Sequence, residues 1–144
     1  MSVLFQILFG STILVGCTLI HIAIMVWLVG KLQSRKIFLA DSSVERIFII
    51  SSGVVFVLLL SHTLHLYIWA LALWVLGALP GHEEPIYFAL VTYTTVGYGD
   101  VTLGPAFRVF GSMAAVNGTL SFGLTTAFLV ALFPRLFVVL RDKI

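Results

Sequence analysis

The sequence predicts an all-α integral membrane protein: three spanning helices, with a short helix and an irregular loop folded back between the second and third. Three observations carry this reading. Hydrophobic residues make up 60% of the 144 and charged residues only 10%, against a soluble norm of roughly 45–50% apolar and about 25% charged. The eight basic and six acidic residues are segregated, so that Met1–Gly30, Ile47–Gly81 and Val109–Pro134 hold none. Between the last two of these runs, Ile86–Thr94 is an apolar stretch too short to cross a bilayer, set among Pro85, Gly97, Gly99, Gly104 and Pro105. Together these features exclude a soluble enzyme, a nucleic-acid binder and a disordered tail. The lone cysteine, Cys17, excludes an intrachain disulfide or a cysteine-based metal site.

The first helix is expected over Val3–Val29, stopping at Gly30 and Lys31. It lacks a basic n-region and is too long for a signal sequence, so it counts as a span over residues 1–30. A polar connection follows over 31–46, in which Asp41, Ser42, Ser43 and Glu45 hold a capping pattern that starts a second helix near Ser42 or Ser43. The apolar body of that helix, Ile47–Gly81, would run about 52 Å if wholly helical, too long for one span and too short for two. One span over about 47–72 is expected, with Trp69 and Trp74 at the outer headgroup level. Pro80, Gly81 and Pro85 break the run, a short helix over about 84–94 follows, and the last helix is expected over about 106–139. Irregular backbone at membrane depth is tolerated only where it is buried in protein or lines a water-filled path, so residues 95–100 are the place to look for function.

Lys and Arg give the orientation. Lys31, Arg35, Lys36 and Arg46 lie in the connection and Arg135, Arg141 and Lys143 at the C-terminal end, whereas the 80–108 region has only Arg108 beside Glu83, Glu84 and Asp100. The positive-inside rule then places the connection and the C-terminus in the cytoplasm and the N-terminus outside.

Residues 94–100 read Thr-Thr-Val-Gly-Tyr-Gly-Asp. Here the chain resembles the tetrameric potassium channels, whose signature is T-x-G-Y-G-D between a short pore helix and an inner helix. The resemblance covers about Ile47–Arg141 and is strongest with small bacterial channels that have one pore loop per chain and an extra N-terminal helix. It implies a re-entrant pore helix and a selectivity-filter loop between the second and third spans, and a pore module over 47–144. It implies that the carbonyls of Thr95, Val96, Gly97 and Tyr98, with the Thr95 hydroxyl, bind potassium. Gly99, Asp100, Thr94 and Thr92 support the filter, with Tyr98 bonded toward Thr92 of the neighbouring chain. The physics matches: a ring of backbone carbonyls replaces the ion's water shell, and glycine takes the positive φ that aims successive carbonyls inward. One loop per chain cannot close a ring, so a homotetramer is expected, with potassium ions and membrane lipid as its partners, no nucleic acid, no cofactor beyond the permeant ion, and room for an unknown regulatory subunit.

In the last helix Gly118 and Gly123 are candidate gating hinges, and Asn117 is a candidate pore-lining residue because a polar group in a span faces a pore or a neighbouring helix. Pro134 is read as bending or ending the last membrane turns. Intramembrane His21, His62 and His65 are read as hydrogen-bonding across helices, with proton sensing by His62, His65 and His82, which lie toward the outside, as an alternative. Haem ligation is disfavoured because residue counting sets His21 and His62 some 8 Å apart in depth. The first helix has no spaced arginines and no cytoplasmic domain is expected after the inner helix, so gating would come from the membrane segments, the filter, lipid, pH or a partner. The expected protein is a passive channel of a plasma membrane, bacterial on grounds of compactness, and not an enzyme. The rivals are a weakly selective cation channel and a non-conducting accessory subunit.

Overall fold

The computed structural model describes residues 1–34 and 44–141. They form four helices, α1 (Val3–Ser34), α2 (Val44–Val75), α3 (Glu83–Tyr93) and α4 (Arg108–Arg141), and no strand among the described residues. Helices α1, α2 and α4 are each long and apolar enough to cross a membrane. At 11 residues α3 rises only ~16 Å and cannot.

Two apolar clusters hold the bundle. Leu28 and Leu32 of α1, Ile47, Val54 and Leu58 of α2, and Leu132 and Leu136 of α4 pack at one end. Trp69, Ala70 and Leu73 of α2, Ala89 and Tyr93 of α3, and Phe110 and Ala114 of α4 pack at the other, with Phe9 and Ile13 of α1 against them. Thus α1 runs parallel to α4, and α2 antiparallel to both. The extra first helix packs more extensively on α4 than on α2. Between the clusters lies a belt of buried polar side chains: His21, Ser61, His62, His65, Asn117 and Ser121.

Several boundaries move. Helix α1 continues four residues past Gly30, since one glycine costs only about 1 kcal/mol in a helix and the residues after it are ordinary helix formers. The expected 31–46 connection therefore shrinks from both sides; its residues 35–43, including the Asp41–Ser43 cap, lie outside the described residues. The long apolar run of α2 resolves as one helix. It ends well before Pro80, because Gly77 takes φ 64° while its N–H donates to the Trp74 carbonyl and that of Ala78 to the Leu73 carbonyl, a glycine-closed C-terminus. Pro134 neither ends nor interrupts α4. Trp69, expected among headgroups, is wholly buried. Trp74 is half exposed and packs on His82, ring centroids 4.9 Å apart.

Candidate functional site

Glu83 and Glu84 open α3, where carboxylates complement the helix dipole, and Pro85 sits in a first turn that needs no donor from it. The helix closes on Tyr93, and the chain then reverses along its own helix. Thr94 N–H donates to the Leu90 carbonyl and Thr95 N–H to that of Thr92, while the N–H groups of Val96 and Gly97 converge on the Val91 carbonyl at 3.0 and 3.2 Å. The Thr94 hydroxyl also donates to the Leu90 carbonyl at 2.7 Å. The inner half of the loop is thereby stitched to the last turn of α3.

Along this loop φ is positive at Thr95 (61°), Gly97 (57°) and Gly99 (80°), and not at Val96 or Tyr98 between them. Such alternation turns successive peptide planes so that their carbonyls come to one side. Glycine does this freely. Thr95 does not, being β-branched, and a left-handed threonine costs on the order of 1–3 kcal/mol that the surrounding structure must offset. Around Gly97 and Gly99 an added Cβ would meet nothing, so it is backbone conformation and not space that calls for glycine there.

At the outer end the Tyr87 hydroxyl donates to Asp100 Oδ2 at 2.6 Å. That bond holds the Asp100 carboxyl below its ordinary range and pushes the Tyr87 hydroxyl above its own. Val96 and Tyr98 are 52% and 73% exposed in the single chain. No bond joins Tyr98 to Thr92 within it.

Behind the loop, Tyr93 is 2% exposed. Its hydroxyl is hydrogen-bonded to His62 Nδ1 (2.9 Å) and His65 Nδ1 (3.2 Å). His62 Nε2 and His21 Nε2 both reach the Thr125 hydroxyl at 3.0 Å, and His21 Nδ1 reaches that of Ser61 at 2.8 Å. The histidines do bond across helices. The depth argument fails, however: the rings of His21 and His62 lie 5.1 Å apart, because counting rise from two helix ends assumes that both ends lie at one depth. Since they share one hydroxyl, no macrocycle fits between them. Among the described residues no group of His, Cys, Asp and Glu converges as a metal site.

Asn117 was expected to line a pore. It is instead fully buried in the subunit, where its Oδ1 accepts from Trp69 Nε1 at 2.9 Å. The polar residue of α4 faces α2 because the indole N–H needs an acceptor once Trp69 is buried. At Gly118 a Cβ would overlap the Tyr93 carbonyl, so close helix crossing explains this glycine without a hinge; around Gly123 there is open space. Sequence reasoning missed Gln6, whose Oε1 accepts from the N–H groups of Val109 and Phe110 at 3.1 and 3.2 Å and so caps α4 from α1. Its signal was available as a lone amide in an otherwise apolar stretch. Tyr87, Tyr93 and Thr125 gave none.

A family model described as "Ion channel" matches residues 47–134. Among curated proteins, a "Potassium voltage-gated channel protein shk-1" of Caenorhabditis elegans is 46% identical over 52 residues, 35% of this chain and 10% of that protein. The chain thus spans about a tenth of that relative's length. No solved structure matches.

Proposed function

The chain belongs to the ion channel family, and on that premise we propose that it is a potassium-selective channel conducting passively through a tetrameric pore. The observation that carries this is the alternating backbone of residues 95–99, with positive φ at Thr95, Gly97 and Gly99. In this reading the carbonyls of Thr95, Val96, Gly97 and Tyr98, with the Thr95 hydroxyl, replace potassium's water shell. Helix α3 enters and leaves from one side of the membrane. Its last carbonyls, which accept from the loop's amides, and the Tyr87–Asp100 bond hold the loop, with Thr92, Thr94 and Gly99 in support.

Four chains are needed because one loop supplies only one column of carbonyls. The exposure of Val96 and Tyr98 supports this, since a tyrosine 73% exposed beside an ion column calls for a neighbouring subunit to cover it. The acidic Glu83, Glu84 and Asp100 share the loop's outer side and would concentrate cations there. In this reading the N-terminus lies outside and the C-terminal end in the cytoplasm, which the Lys and Arg distribution supports. The chain performs no catalysis.

The test is potassium flux into liposomes carrying the purified protein, with sodium as the competing gradient and barium as blocker. Selective, barium-sensitive flux is expected. Equal sodium flux would overturn selectivity, and no flux across pH values and lipid mixtures would turn the reading toward an accessory subunit.

A further inference from the structure

Tyr93 stands at the joint between α3 and the loop, two residues before Thr95. Both ends of it are held. Its carbonyl lies against α4 at Gly118, so closely that no Cβ could be added there, and its hydroxyl is held between His62 and His65. The path continues through Thr125 of α4 to His21 and then to Ser61. It therefore ties α1, α2 and α4 to the last residue of α3. His21 and His65 are fully buried and His62 nearly so, and Phe122 stacks on the His62 ring at 4.6 Å.

Each bridging hydroxyl carries one hydrogen. With neutral imidazoles, Thr125 donates to at most one of His21 and His62 and accepts from the other or from both, and Tyr93 does the same between His62 and His65. The path ends at His65 Nε2, which lies toward the Cys17 backbone without reaching hydrogen-bond geometry. Such a network, satisfied everywhere but at that end, rigidifies what it holds.

We propose that His21, His62, His65 and Thr125 are positioning residues for the inner end of the ion site, acting through the Tyr93 hydroxyl, so that α1 is part of the scaffold that sets the Thr95 carbonyl and hydroxyl. The inference rests on the channel reading above. Ion binding by fixed carbonyls depends on groups that lock those carbonyls in place, and no other side chain from α1 or α2 is hydrogen-bonded to α3 among the bonds described.

The test reads equilibrium binding, not current: calorimetric titration of potassium into the purified full chain in a sodium background, with assembly checked by size-exclusion chromatography. Tyr93→Phe and Thr125→Val should weaken potassium binding by about tenfold, the lower end of what loss of a group supporting an ion's ligands costs. Thr125→Ser, which keeps the hydroxyl, should bind as the wild type does, as should Thr12→Val on the exposed face of α1. His21→Ala should shift binding in the same direction as Thr125→Val, by less. Wild-type affinity in assembled Tyr93→Phe and Thr125→Val would overturn the inference and leave the channel reading intact. Equal loss in Thr125→Ser and Thr125→Val would overturn it too, by assigning the effect to packing; if Tyr93→Phe does not assemble, the Thr125 pair decides. A wild type with no preference for potassium would overturn both.

Discussion

The hydroxyl of Tyr87 donates to the carboxylate of Asp100 across 13 residues at 2.6 Å. It joins the second turn of α3 to the far end of the loop. With the amide bonds to Val91 at the near end, it fastens the loop along the helix at two heights.

Tyr87→Phe removes the donor. Because the bond holds the Asp100 carboxyl below its ordinary value, the tie is present at neutral pH and is lost as pH falls through that lowered value. In Tyr87→Phe the Asp100 carboxyl should titrate at higher pH than in the wild type, as read by carbon NMR of the labelled carboxyl. An unchanged titration would mean that the bond does not persist in the assembled protein.

Gly99→Ala meets no steric obstacle, yet it places a side chain at φ 80°. Left-handed backbone costs an L-residue roughly 1–2 kcal/mol. The variant should still assemble, while potassium flux into liposomes falls to background.

Gly118→Ala differs in kind. Its methyl would collide with backbone at the Tyr93 carbonyl, which cannot yield as a side-chain tip can. A loss of about 1–3 kcal/mol, typical of an overpacked core, is expected, read as a lowered midpoint of thermal unfolding. Gly123→Ala, in open space, should leave that midpoint unchanged.

Gln6→Leu keeps the bulk of the side chain and deletes the acceptor that caps α4. Loss of about 1 kcal/mol is expected, as for other N-terminal caps. The thermal midpoint in detergent checks it; no change would mean that the Val109 and Phe110 amides find other partners.

Much of the fold was legible in the sequence. Long uncharged apolar runs carry the signal for α1, α2 and α4, and the prolines and acidic residues before Ile86 mark the start of α3 to within a residue. Ends set by terminal geometry were less so: Gly77, closing α2, stood in the shadow of the more conspicuous Pro80 and Gly81. The loop residues Thr95–Asp100 stood out because positive φ leaves a glycine signature. Asn117 was misplaced, since a polar residue in a span needs a partner but does not name it.

The sequence by itself determined that the chain crosses a membrane, how many times, and where its irregular backbone lies, because these follow from local length, apolarity and glycine. Only the tertiary structure decided which polar groups meet: Gln6 with the start of α4, Trp69 with Asn117, Tyr87 with Asp100, and the histidines of α1 and α2 with Tyr93 and Thr125. A buried polar group must find a partner wherever packing brings one within about 3 Å, and that pairing joins residues up to 104 positions apart.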